Sequence, residues 1–394
     1  MDVKLLELNF AQLSRAWNKS KFNNYSDNRK QAYRDRLASL FNKLQAEDFS
    51  NLSPTQVKDR SYIIDFFFTS LQFLDSSTLN LIPFEIVECL GESLKEWIDP
   101  HQDFIIVTSL VNEPLGFSFN PNLAFNNFLY TNIKTVYNEE FPQRLIQITL
   151  PRFLVRDYLA NVVLYHELGH FIDVKYNIAS AIHNYLCNHY FNNALNPQDK
   201  ADVQKYFPYI ENYRTYFLQK QLPPTIFYHL REYFSDIFAS QYIGECSNYY
   251  LDYITKKQAQ HGEEHPSTIN RVDIVNKFLK SDTSSYTLNL ILSATQQITN
   301  RDLSIRYSRI TNNEFYNLLP CVISNEQQLH SLFILGWETW LDDWNKISAI
   351  NNMQFQIDAN QVYNIINNLI EKSINSFIVT KSWEKANAIA EESN

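Results

Sequence analysis

Six glycines spread over 394 residues constrain this chain more than any other feature. Tight turns, β-bulges and phosphate-cradling loops draw on glycine because it adopts positive φ without steric cost. A large β-rich fold is therefore disfavoured, and the chain should be mostly helical. Neither a glycine-rich phosphate loop nor a Gly-x-Ser-x-Gly elbow is present, which removes two large enzyme classes.

The apolar spacing agrees with helices. Leu5, Leu8, Phe10, Leu13 and Trp17 recur at helical intervals, as do Leu37, Leu40, Phe41 and Leu44. Ser53-Pro54 reads as a helix start, and Asp99-Pro100 ends a later helical stretch. The pattern then changes. Phe104–Thr108, Gly116–Phe119 and Leu145–Leu150 read as three short strands, the last stopping at Pro151. Helical periodicity returns at about 155–178 and about 224–243, where Pro223-Pro224 and Gly244 mark the ends. Further helices follow after 300, including Asn360–Ser376. The fold class is α+β, predominantly helical, with a small sheet. Three regions result: helical 1–100, a core at 101–300, and helical 301–394.

Hydrophobic residues make up 45% of the chain, enough for buried interiors over this length. The net charge of -9 gives no electrostatic reason to expect nucleic-acid binding. Cys89, Cys187, Cys246 and Cys321 are widely spaced and form no CxxC pair, so they read as reduced, buried thiols. No run approaches the roughly 20 apolar residues that cross a bilayer, and the N-terminus lacks a signal-peptide core. A soluble cytoplasmic protein with no membrane partner is expected.

His166-Glu167-Leu168-Gly169-His170 carries the clearest chemistry. Two histidines four residues apart lie on one helical face and can share a cation. Glu167 sits beside them, where it can serve as general base toward a metal-activated water. Leu159, Val162, Val163 and Phe171 give the segment an apolar setting, against the alternative of a surface helix with two ordinary histidines. Gly169 leaves room for substrate or a neighbouring strand. The Val-Val-Leu-Tyr-His-Glu-Leu-Gly-His-Phe context resembles the zincin metallopeptidases, in which such a helix carries two zinc ligands and the base.

A catalytic zinc needs a third protein ligand. In Glu232-Tyr233-Phe234-Ser235-Asp236 both carboxylates share one helical face. Glu232 can bind the metal, while Asp236 can accept the second N–H of a ligand histidine and fix its ring. The bland alternative is an acidic surface pair, opposed by Phe227, Leu230, Phe234, Ile237 and Phe238 around it. This pattern resembles the gluzincin branch of the zincins, whose third ligand is a glutamate on a second helix with an aspartate four residues on. His265-Pro266-Ser267 with Arg271 is similar to a segment that follows the glutamate helix in many bacterial gluzincins, including relatives of the CAAX prenyl proteases. The likeness covers about residues 145–275 and only a soluble core. It implies that His265 or Arg271 polarises the scissile carbonyl or anchors the site's acidic residues. The alternative is a helix start with Pro266 in its first turn and Arg271 as a surface charge.

Other candidates compete. Asp173 could ligate from the histidine helix, and His229, one turn before Glu232, could face the metal. His183 and His189 flank Cys187 without forming a compact cluster, and Tyr228 or Tyr233 could serve an oxyanion. The resemblance implies a zincin-like catalytic core acting as a Zn²⁺-dependent endopeptidase on a protein or peptide substrate. Its range should be narrow or regulated, with a regulatory partner protein conceivable. The strand ending at Leu150 is the expected edge for docking an extended substrate. The competing reading is a non-catalytic helical interaction protein that retains a zincin-like core.

Overall fold

A glycine-poor chain still needs left-handed turns, and asparagine makes most of them. Asn138, Asn177, Asn193, Asn300 and Asn352 all have φ between 49° and 56°. Their short polar side chains tolerate this region better than other non-glycine residues do. Asn138, Asn177 and Asn300 each end a helix. Gly244, at φ 56°, follows directly on the helix Pro224–Ile243.

The computed structural model describes residues 3–23, 25, 27–75, 83–215, 219, 224–255 and 257–392. Pro223, expected at a helix start, lies outside the described residues. The chain is α+β and mainly helical, and it divides into two compact units. The division differs from the three regions read from sequence. Unit one is Met1–Gly91 with Ile98–Val155, and unit two is Glu92–Trp97 with Arg156–Asn394. The strands therefore belong with the N-terminal helices, not with the histidine motif.

In unit one, α1 (Val3–Ser20) packs on α3 (Pro54–Asp75), with α2 (Asn28–Gln45) between them in sequence. Ser53 opens α3 as expected: its Oγ accepts from the Gln56 N–H, and Gln56 Oε1 accepts from the Ser53 N–H. After α4 (Phe84–Trp97) come β1 (Asp103–Val111), β2 (Ser118–Asn120), α5 (Asn122–Phe125), α6 (Asn127–Tyr137) and β3 (Gln143–Pro151). The sheet order is β1-β3-β2. β1 and β3 run parallel from Asp103↔Gln143 to Val111↔Pro151, and β2 adds antiparallel at Ser118↔Thr149. A parallel pair needs a long crossover, which β2, α5 and α6 supply. β3 is thus the central strand, paired on both sides over Gln147–Thr149. It is not the free edge expected for substrate docking. Aromatic rings knit the core: Trp17 meets Phe67 edge-on at 5.6 Å, and Phe66 meets Tyr130 at 5.3 Å.

Unit two holds α7 (Val163–Tyr176), α8 (Ile178–Phe191), α9 (Pro197–Tyr206), α10 (Pro224–Ile243), α11 (Cys246–Ile254), α12 (Thr268–Leu279), α13 (Tyr286–Thr299), α14 (Glu326–Asp343), α15 (Ile347–Ile350) and α16 (Ala359–Glu392). α10 is its axis. Every residue from Glu232 to Ile243 is buried, because α7, α8, α11, α12 and α14 all pack on it. The histidine helix begins later than the periodicity suggests. Asp157 diverts the chain at 157–160, its Oδ1 accepting the Ala160 N–H at 3.0 Å, and Asn367 Oδ1 takes the Leu159 N–H at 3.1 Å. Such side-chain bonds compete with the helical ladder. All four cysteines are buried thiols. Among the described residues no helix is long and apolar enough to cross a membrane.

Candidate metal centre

The close crossing of α7 and α10 builds this site. A Cβ on Gly169 would lie 2.8 Å from Ser235 Cα and 3.2 Å from Phe238 Cβ. The glycine inside the motif therefore lets a neighbouring helix approach, rather than the substrate or strand expected. Glu232 and Asp236 face His166 and His170 across this contact.

His166, His170 and Glu232 can each offer one ligand atom, and these atoms lie within 4.8 Å of one another. His166 Nε2 is 3.5 Å from Glu232 Oε2, and His170 Nε2 is 3.3 Å from Glu232 Oε1. Bonds of about 2.0–2.1 Å to a tetrahedral ion place ligand atoms roughly 3.3–3.4 Å apart. The separations across the helix interface thus suit a small cation. The two imidazoles stand nearly perpendicular, at 85° with centroids 4.6 Å apart.

Their other nitrogens are also occupied. Asp236 Oδ1 lies 2.9 Å from His166 Nδ1, off the ring's N–H axis, so the contact is electrostatic more than an aligned hydrogen bond. Ser235 Oγ lies 2.9 Å from His170 Nδ1. Glu232 and Asp236 are only 6% and 4% exposed, which disposes of the acidic surface pair.

Arg271, 5% exposed on α12, closes the arrangement from behind. Its Nε donates to Asp236 Oδ2 at 2.7 Å and its Nη2 to Asp236 Oδ1 at 2.8 Å. The same Nη2 is 3.1 Å from Glu232 Oε2. It is not a surface charge. Its Nε and Nη2 are turned to the two carboxylates, the arrangement of an anchor for the acidic residues. Pro266 precedes the N-cap rather than lying in the first turn: Ser267 caps α12, accepting from the Asn270 N–H. His265 Nδ1 is 3.2 Å from Glu232 Oε2, with its side chain 58% exposed. The Gly262 N–H donates to the His265 carbonyl at 2.9 Å, holding this turn.

Two buried carboxylates, Glu232 and Asp236, face the Arg271 guanidinium and the imidazoles of His166 and His170. Burial pushes both carboxyls up, but Arg271 and the adjacent imidazoles overcome it, holding Glu232 well below the ordinary range and Asp236 lower than usual. Burial disfavours an imidazolium at His166. Contact with Asp236 and Glu232 outweighs that and raises its pKa to about 10. The field that would hold a proton on this ring equally favours a metal ion between the ligands. A mixed nitrogen and carboxylate donor set suits zinc.

Glu167 is half-buried on α7, one helical turn from His170, and among the described residues its carboxylate takes no hydrogen bond or ion pair. The competing candidates lie elsewhere. Asp173 accepts from the Ala179 N–H at 2.6 Å and from Arg231 Nε at 3.1 Å, holding the start of α8. His229 Nε2 is 2.9 Å from the Gly262 carbonyl and its Nδ1 contacts the Tyr209 hydroxyl, so its ring supports the turn before His265. His183 packs its ring near Phe227, and His189 packs against Tyr185. Tyr233 is fully buried and donates to the Tyr206 carbonyl at 3.2 Å, so it cannot serve an oxyanion; Tyr228 is 37% exposed. Ser235 went unread in the sequence, although it shares the face of Glu232 and Asp236. Its neighbour position to both was the available signal.

No family model, curated protein or solved structure matches the chain. The functional reading rests on the geometry of α7, α10 and α12.

Proposed function

We propose that the chain is a zinc-dependent endopeptidase of gluzincin type, with a zincin-like core in unit two. The observation that carries this reading is the convergence of His166 Nε2, His170 Nε2 and the Glu232 carboxylate at separations that suit one tetrahedral ion.

Zinc held by these three residues would supply a Lewis acid, which acidifies water toward a pKa of ~7 and polarises a peptide carbonyl. The chain's own groups do the rest. Glu167, whose carboxylate has no partner among the described residues, takes the proton from the attacking water and delivers it to the leaving amine. Asp236 and Arg271 hold the first histidine and Glu232 in place, so no rearrangement is needed during reaction. His265 is the most exposed group in contact with Glu232, and its role in this reading is to donate to a substrate oxygen. A peptidase made in a cytoplasm needs restraint, so a narrow or regulated substrate range belongs to the proposal.

Metal content and turnover test it together. Zinc per chain is measured for the wild type and Glu167→Gln, and both are incubated with a proteome-derived peptide pool. Near-stoichiometric zinc in both proteins, with cleavage by the wild type alone, is expected. Zinc in both with identical peptide profiles would instead indicate a non-catalytic scaffold.

A further inference from the structure

Serine and threonine hydroxyls inside helices usually return to the carbonyl one turn back. In this chain Thr295 bonds the Ile291 carbonyl, Thr299 the Thr295 carbonyl and Ser373 the Leu369 carbonyl. Ser235 behaves differently. Its Oγ reaches across the helix interface to His170 Nδ1 at 2.9 Å. The side chain is fully buried, and Gly169 lies directly against its backbone. No water separates the hydroxyl from the ring at this distance.

We propose that Ser235 is a positioning residue of the metal centre, whose hydroxyl accepts the Nδ1–H of His170 and so presents Nε2 to the cation. This role rests on the metal reading above. The alternative polarity fails chemically. If the hydroxyl donated to Nδ1, the ring proton would sit on Nε2 and block ligation. With Oγ as acceptor, the tautomer and the ring plane are both set for binding. The two ligand histidines are then held by unlike partners, His166 by a carboxylate and His170 by a neutral hydroxyl. A carboxylate raises ligand basicity more than a hydroxyl does, so His170 is the less strongly polarised ligand. Outer-shell partners of this kind are typically worth about 10–100-fold in metal affinity, and a hydroxyl belongs near the lower end.

The test uses full-length wild type, Ser235→Ala and Ser235→Cys, titrated with Zn²⁺ against a chromogenic chelator and with Co²⁺ for its visible bands. Zinc binding about 10-fold weaker in both variants is expected. The Co²⁺ bands should shift, a readout that a loss of fold stability alone would not move. Wild-type zinc affinity and wild-type Co²⁺ bands in Ser235→Ala would overturn the role. Should neither variant fold, the zinc-loaded wild type labelled with ¹⁵N-histidine decides: His170 must show a protonated Nδ1 and a metal-bound Nε2, and the reverse assignment refutes the proposal. A wild type that takes up neither metal brings down the metal centre and this role together. A wild type that binds zinc no better than Ser235→Ala brings down this role alone.

Discussion

Replacing Gly169 with alanine tests whether the helix crossing sets the metal geometry. The added Cβ would lie 2.8 Å from Ser235 Cα, 3.1 Å from Ser235 Cβ and 3.2 Å from Phe238 Cβ. Carbon atoms in good contact sit at roughly 3.5–4.0 Å. The closest neighbour is backbone and cannot rotate away, so α7 and α10 must part by about 0.7 Å. The ligand separations of 3.3 and 3.5 Å would then open toward ~4 Å, whereas metal bonds tolerate about 0.2 Å. Overpacking of this kind costs roughly 1–3 kcal/mol. If the metal must draw the helices back against that cost, zinc affinity falls roughly 5- to 150-fold. Competition titration against a chelator reads the loss. Gly91→Ala is the control, since a Cβ there meets nothing within 4 Å; it should leave zinc binding unchanged. Gly169→Ala with zinc affinity within twofold of wild type would refute the reasoning.

Glu232→Ala should strip the metal, while Asp173→Ala should keep wild-type zinc affinity because Asp173 serves Ala179 and Arg231; metal analysis after dialysis separates the two. Arg271→Met leaves Glu232 and Asp236 buried without their cation, so urea unfolding of the metal-free protein at pH 7 should show a loss of about 3–5 kcal/mol. Acid should weaken the fold through buried histidines. Burial lowers His183 and His229 to about 4 and His330 to about 3, against ~6.5 in the unfolded chain. Folded-state values below the unfolded one mean that stability is full above pH ~6.5 and falls as the pH drops toward 4, because only the unfolded chain takes up these protons. At pH 5 each histidine costs about 2 kcal/mol. His330→Gln should remove about that much of the difference between urea unfolding at pH 7 and pH 5, and an unchanged difference would contradict the assignment.

Much of the site's placement was legible because it rests on helical spacing. His166 with His170, and Glu232 with Asp236, are each four apart, and Pro224 and Gly244 bound α10 where the sequence places its ends. The strands were legible from a β-branched run at Phe104–Thr108, a segment following a turn at Gly116–Phe119 and partial alternation at Leu145–Leu150, but their partition was not. Only tertiary packing decides that β1 and β3 pair in parallel and join the N-terminal helices. The start of α7 was misread because Asp157 competes locally with the helix, which apolar periodicity does not register. Arg271 could be read as a surface charge, since a single sequence does not show that α12 turns it toward two buried carboxylates. Ser235 stayed hidden because a helical serine normally bonds its own backbone.

The central claim is that one ion is held jointly by α7 and α10. A crystal structure of the zinc-loaded protein, with anomalous scattering at the zinc edge, tests it most directly. The account predicts a single strong peak within about 2.0–2.2 Å of His166 Nε2, His170 Nε2 and a Glu232 carboxylate oxygen. A peak that leaves Glu232 unbound, or that lies on other residues altogether, would contradict it.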